Sequence, residues 1–169
     1  MIHAVLLGIH IAAGTLGLLF GPVAMWQGTR RLAAAPGPDT AAGTVYHWTV
    51  LTVCLSAVAL IVWFRHELWW IVPLAAFSYS LVLLGRFAAA RRFRGWTHAY
   101  VHGLGGSYIA LVTALTVVAL TVDGPVSGPA EVIPWVLPAA VGTPLLERWR
   151  RQIVSRATAE SARRAPRAG

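Results

Sequence analysis

The chain has 169 residues, of which 57% are hydrophobic and only 12% are charged, a balance too apolar for a soluble domain of this size. Its basic residues are all arginines, and they give a net charge of +8. Because these arginines lie between and after long apolar runs, they favour contact with anionic lipid headgroups and exclude nucleic acid as the expected partner, since no nucleic-acid motif accompanies the charge.

Five apolar runs separated by polar breaks predict an all-α polytopic membrane bundle of five transmembrane helices. The predicted spans cover residues 2–25, 42–64, 68–88, 96–122 and 131–146. The fifth span is the shortest, and three prolines interrupt it, at positions 134, 138 and 144. Residues 1–147 therefore form the predicted bundle, and residues 148–169 form an arginine-rich tail that is expected to start as an interfacial helix and end disordered.

The first span is predicted to be retained in the membrane rather than removed as a signal peptide. No basic segment precedes it, and nothing after Phe20 resembles a small-residue cleavage site. One of its helical faces carries two histidines and three glycines: His3, His10, Gly14, Gly17 and Gly21. The GxxxG spacing at the end of that set lets a neighbouring helix approach closely, and Pro22 is expected to kink the helix there.

The starts of the second and fourth spans carry capping residues and further histidines. Asp39 or Thr40 is the predicted N-cap of the second span, and Thr97 that of the fourth. His47 enters the second span near its start. The third span has no histidine.

The fourth span places its polar and small residues on one stripe. Helical spacing aligns His98, His102, Gly105, Ile109, Thr113 and Thr116. Imidazole, glycine and threonine on an otherwise lipid-soluble helix should face protein rather than acyl chains. We therefore expect the first, second and fourth spans to form a histidine- and glycine-lined interior.

The distribution of arginine and tryptophan predicts the orientation of the bundle. Thirteen of the fourteen arginines fall at the end of span three, in the loops after spans one and three, and in the tail, which predicts that these segments are cytoplasmic and the N-terminus outside. The eight tryptophans fall at the ends of the spans and form two interfacial belts. The single cysteine, Cys54, excludes an intrachain disulfide and a thiolate metal cage.

Three interpretations compete for His47, His98 and His102, which lie toward the predicted cytoplasmic side. The imidazoles can serve as hydrogen-bonding groups in packing. Alternatively, His47 and either His98 or His102 can be the axial ligands of one haem b, beside glycines that admit a porphyrin. A divalent metal ion shared by the three rings is the third interpretation, although no carboxylate nearby in the sequence completes such a site. The other histidines, His3, His10 and His66, lie toward the predicted outer side. Of these, only His10 lies clearly within the membrane, and it is the candidate metal ligand there.

Three segments resemble those of an uncharacterised family of small bacterial integral-membrane proteins, a domain of unknown function. They are HIAAGTLGLLFGP in the first span, His47 at the start of the second, and HAYVHGLGGSYIALVTA in the fourth. This resemblance covers residues 2–122 and implies a multi-pass protein of the bacterial inner membrane. A more distant similarity to helical-bundle b-type cytochromes implies at most one haem, because the third span has no histidine.

These features favour a non-enzymatic structural or accessory membrane component, acting as a homodimer or with a membrane protein partner. No paired carboxylates, Ser-His-Asp set, P-loop or dinucleotide fingerprint is present, so any redox chemistry would come from a cofactor. The alternative is a single-haem redox protein that exchanges electrons with a quinone or a partner. A divalent metal-binding protein or a small-solute transporter is the third expectation.

Overall fold

A computed structural model describes residues 1–34, 40–122 and 124–164, and within these ranges all regular structure is helical. The long helices are α1 (Ile2–Ala34), α2 (Ala41–Phe64), α3 (Ile71–Arg91), α4 (Trp96–Val117) and α5 (Val132–Arg164). A π-helical turn, Val118–Val122, continues α4, and short 3-10 turns at His66–Leu68 and Gly128–Glu131 precede α3 and α5. Five helices are long and apolar enough to cross a membrane, which confirms the predicted number of spans and indicates a multi-pass membrane protein.

The helix starts follow local capping chemistry, with one correction to the prediction. Thr40 caps α2, and its hydroxyl accepts a hydrogen bond from the Gly43 amide at 3.0 Å. The other predicted cap of α2, Asp39, lies outside the described residues. Thr97 is not the cap of α4, because that helix already begins at Trp96, after Gly95 in the left-handed conformation with φ 83°. Glycine adopts this conformation without a steric penalty, so it sets the turn directly before the helix.

Helices α1 and α5 are longer than the predicted spans. Each has 33 residues, which corresponds to about 50 Å at 1.5 Å per residue, against a hydrocarbon core of about 30 Å. The predicted tail therefore begins as a continuation of α5 and stays helical to Arg164. The predicted disorder at the end of the 148–169 tail stays a prediction, because residues 165–169 lie outside the described residues.

Helices α1 and α4 each pack mainly on three of the other long helices. Helix α1 packs on α2, α4 and α5, and helix α4 packs on α3, α5 and α1. Its closest approach is to α3, where a Cβ atom on Gly103 would lie 2.5 Å from the Gly85 amide nitrogen and 2.7 Å from the Leu81 carbonyl oxygen. Since backbone atoms cannot move aside as a side chain can, this crossing requires glycine.

Two prolines inside the long helices leave carbonyl groups that α4 hydroxyls satisfy. Pro22 has no amide hydrogen to donate to Leu18, and the Tyr108 hydroxyl donates to that carbonyl at 3.2 Å. In the same way, Pro138 leaves the carbonyl of Pro134 without its usual helical donor, and the Thr116 hydroxyl donates to it at 3.2 Å. In a membrane an unpaired carbonyl is costly, so these two bonds stabilise α1 at Pro22 and α5 at Pro138.

The arginines gather at one end of the bundle, called here the arginine end, where α1, α3 and α5 finish and α2 and α4 begin. Trp149 of α5 donates from Nε1 to the Thr29 hydroxyl of α1, and its ring lies 5.6 Å from the ring of Tyr100 on α4. At the opposite end, Arg65 donates to Glu67 at 2.5 Å, and this guanidinium holds the pKa of the Glu67 carboxyl below its usual range. The two ends therefore differ strongly in charge.

Candidate functional site

The predicted polar stripe of α4 faces α5 from Gly105 to Thr116, whereas His98 at its start is exposed. A Cβ atom on Gly105 would overlap the Leu146 side chain, and one on Gly142 of α5 would lie 2.6 Å from Ile109 Cγ1. A side chain of each helix therefore occupies the space beside a glycine of the other. Thr116 continues the contact through its bond to α5. The stripe was expected to face protein, and the helix that it meets is the one that was predicted to be the shortest span.

His98 and His102 lie side by side at the arginine end. Their ring centroids are 4.1 Å apart and the ring planes are inclined by 43°. His98 is exposed and His102 is half-buried, within electrostatic range of Glu147 and Arg150 on α5. The sequence prediction missed this carboxylate because Glu147 lies just after the predicted fifth span, far from the histidines in the chain. The Glu147 carboxylate accepts hydrogen bonds from Arg150 at 2.7 and 2.8 Å and from Arg151 at 3.0 Å.

His47 lies in an aromatic contact at the interface of α2 with α3. Its ring lies 5.6 Å from the ring of Tyr79 on α3 and 5.3 Å from that of Trp48 on its own helix. Of the three predicted site residues, His98 and His102 therefore have their rings in contact with each other, and His47 has its ring against that of Tyr79.

His10, the candidate metal ligand near the opposite end, is part of a hydrogen-bonded contact between α1 and α2. Its Nδ1 lies 2.9 Å from the Ser56 hydroxyl, which in turn donates to the Thr52 carbonyl at 2.6 Å. The hydrogen bond between His10 and Ser56 joins α1 to α2. Across the described residues, no three His, Cys, Asp or Glu side chains are grouped closely enough to hold a metal ion.

Several interior tyrosines contribute more to the bundle than the sequence suggested. Tyr46 is fully buried, and its hydroxyl lies 2.9 Å from that of Ser107, which links α2 to α4. Tyr108 occupies the space beside Gly21, where a Cβ atom would lie 2.7 Å from its Cε2. Tyr100 fills the same role beside Gly28. The signal available in the sequence was the proline at position 22, which leaves an acceptor four residues earlier and so calls for a donor from another helix.

Aromatic rings support several guanidinium groups at the arginine end. Arg30 lies 3.9 Å from the centroid of the Trp26 ring, and Arg92 lies 4.8 Å from that of Trp96. Arg91 lies 5.4 Å from the centroid of Phe87. These distances are those of cation–π contacts, which hold a flexible cationic side chain at a defined level.

The chain matches no protein-family model, no curated protein and no solved structure. The family resemblance drawn from the sequence therefore stays a prediction. The features of the structure that bear on function are side chains packed beside glycines of neighbouring helices, hydrogen bonds between helices, and the arginine end.

Proposed function

We propose that this protein is a non-enzymatic integral membrane component of the bacterial inner membrane, a structural or accessory subunit organised around α4. The observation that carries the proposal is the occupation of the glycine positions. Tyr108, Tyr100, Leu146 and Ile109 lie where Cβ atoms on Gly21, Gly28, Gly105 and Gly142 would be. This is the use that helix packing makes of glycine.

The contacts of the histidines support the same function. His10 is hydrogen-bonded to a serine of the neighbouring helix, and His47 packs against a tyrosine. A neutral imidazole in such a place satisfies a polar partner and fixes the register of two helices. His98 and His102 likewise lie against each other, with ring centroids 4.1 Å apart.

The test is an absorption spectrum of detergent-purified protein, oxidised and dithionite-reduced, with a metal assay on the same sample. We expect no Soret band and less than stoichiometric metal. A Soret band that disappears in both His47→Ala and His102→Ala, but not in His66→Ala, would replace this proposal with a single-haem redox protein. The exposed His66 lies in the short turn at the opposite end and serves as the matched control.

A divalent metal site is the second candidate, because the structure brings His98 and His102 together. Histidines four residues apart on a helix can share one ion, and Glu147 is the nearest carboxylate. Stoichiometric zinc or copper that is lost in the double variant His98→Ala/His102→Ala would favour this function. The neighbouring Arg150 and Arg151 oppose a cation electrostatically, which is why packing is the better-supported function.

A further inference from the structure

Three prolines lie in the interior of the described helices, and each removes one hydrogen bond from its helix. They are Pro22 of α1 and Pro138 and Pro144 of α5. The carbonyls left by the first two accept hydrogen bonds from hydroxyls of α4, both at 3.2 Å. In the same way, Pro144 leaves the carbonyl of Ala140 without its usual helical donor.

The Ala140 carbonyl belongs to the side of α5 that faces away from the bundle. Gly142 packs against α4, and at about 100° per residue Ala140 lies on the opposite side of the helix. Ala140 and Pro144 are accordingly exposed. In the part of the chain that the structure describes, no side chain donates to this carbonyl, and the nearby Thr143 hydroxyl donates to Ala139 at 2.7 Å. Because an unpaired carbonyl among acyl chains is costly, this side of α5 favours a donor from another chain.

The same side of α5 carries charges of both signs at the arginine end. The half-buried Glu147 lies two helical turns after Ala140, and Arg148 and Arg151 beside it are exposed. Two copies inserted in the same orientation are related by an axis along the membrane normal, which brings equal residues of two α5 helices to the same level. Glu147 of each copy then meets the arginines of the other. This face is therefore complementary in charge to itself, which favours a second copy over a different partner.

We propose that α5 packs against α5 of a second copy, and that the Thr143 hydroxyl of each copy donates to the Ala140 carbonyl of the other. A helical carbonyl points toward the C-terminus of its helix, so the Ala140 oxygen lies near the level of residue 143. Threonine in a helix adopts two χ1 rotamers, so its hydroxyl can turn from Ala139 to the second copy without a change in the backbone. The inference depends on α5 spanning the membrane. It is independent of the proposed function, since this contact does not involve the histidines.

The test measures dimerisation of the full chain in vesicles of phosphatidylcholine. Chains with Cys54→Ala and Ser127→Cys are labelled with a donor or an acceptor fluorophore, and energy transfer during dilution with lipid gives the dissociation constant of the dimer. Thr143→Val should raise this constant about fivefold, because each dimer loses two hydrogen bonds of modest strength. Thr15→Val is the matched control and should leave it unchanged. Thr15 is also exposed in a span and donates to the carbonyl four residues earlier, at 2.9 Å.

A Pro144→Ala background separates the proposed bond from general packing of α5. The restored amide of residue 144 can donate to Ala140, so Thr143→Val should then raise the dissociation constant by no more than about twofold. The proposal is overturned if the wild type stays monomeric at every lipid ratio, if Thr143→Val and Thr15→Val weaken the dimer equally, or if Thr143→Val keeps its full effect beside Pro144→Ala. A melting temperature of monomeric Thr143→Val in detergent below that of Thr15→Val would also overturn it, because the hydroxyl would then stabilise the single chain.

Discussion

At the scale of single residues, Tyr108 joins two features of α1 that adjoin each other in the sequence. Its ring fills the space beside Gly21, and its hydroxyl donates to the carbonyl that Pro22 leaves without a helical donor. Glycine admits the ring, and proline creates the acceptor that the hydroxyl binds. Gly21 and Pro22 therefore together form the binding position of the Tyr108 side chain, in addition to any kink that the proline causes.

This relation predicts a coupling between Tyr108 and Pro22. Tyr108→Phe keeps the ring but removes the donor, so it should lower the free energy of unfolding by about 0.5–1.5 kcal/mol. In a Pro22→Ala background, the restored amide of residue 22 can donate to Leu18, so the same substitution should cost less than half as much. Unfolding by SDS titration of the four proteins of this double-mutant cycle measures the difference. Equal costs in the two backgrounds would contradict the assignment.

At the scale of helices, the sequence predicted the face of α4 but not its neighbour. Helical periodicity is a local property, so the stripe from His98 to Thr116 could be placed on one side and expected to meet protein. Which helix covers that side depends on contacts between residues far apart in the chain, and neither periodicity nor hydropathy contains this information. The sequence therefore allowed His47 and His102 to face each other but could not identify Leu146, Glu147 and Gly142 of α5 as neighbours of the stripe.

The lengths of α1 and α5 were underestimated for a related reason. Hydropathy reports only the part of a helix that suits lipid, and both helices continue past it into arginine-rich sequence. Past their apolar segments, these two helices are stabilised by contacts with other helices. Trp149 of α5 donates a hydrogen bond to Thr29 of α1, and Ile153 of α5 is fully buried. The prolines of α5 made its sequence look like a broken span, and Thr116 supplies one of the bonds that keep it continuous.

The crossing of α3 and α4 gives a prediction at this scale. Gly103→Ala places a methyl group within 2.5–2.8 Å of the Gly85 backbone and should lower the free energy of unfolding by about 1–3 kcal/mol, because the helices must separate. Gly8→Ala is the matched control, since no atom lies within 4 Å of its new methyl group and the gain in helix propensity is the same. Thermal unfolding in detergent compares the two variants. If both melted at the same temperature, the close backbone contact would not be a source of stability.

At the scale of the whole molecule, charge separates the two ends of the bundle. The arginine end includes the arginines of α1, of the α3–α4 corner and of α5, and the opposite end has Arg65 paired with Glu67. Composition and order along the chain were enough to predict this asymmetry, because alternate loops of a helical bundle meet at the same end. The side of the membrane on which each end lies is a property of insertion and follows from the positive-inside rule.

That rule predicts that the arginine end is cytoplasmic, and a cysteine-labelling experiment tests it. The chain has one cysteine, so a Cys54→Ala background allows single cysteines at Ser127, exposed near the opposite end, and at Ser155, exposed on the extension of α5. In intact cells, a membrane-impermeant maleimide should label Ser127→Cys, whereas Ser155→Cys should react only after permeabilisation. A variant with glutamine in place of six arginines should insert partly in the inverted orientation, because the excess of positive charge that orients the spans is reduced. The six positions are Arg91, Arg92, Arg94, Arg148, Arg150 and Arg151. Labelling of Ser155→Cys in intact cells expressing the unaltered loops would mean that the arginines face outward, and the α3–α4 corner would then meet the lipids of the outer leaflet.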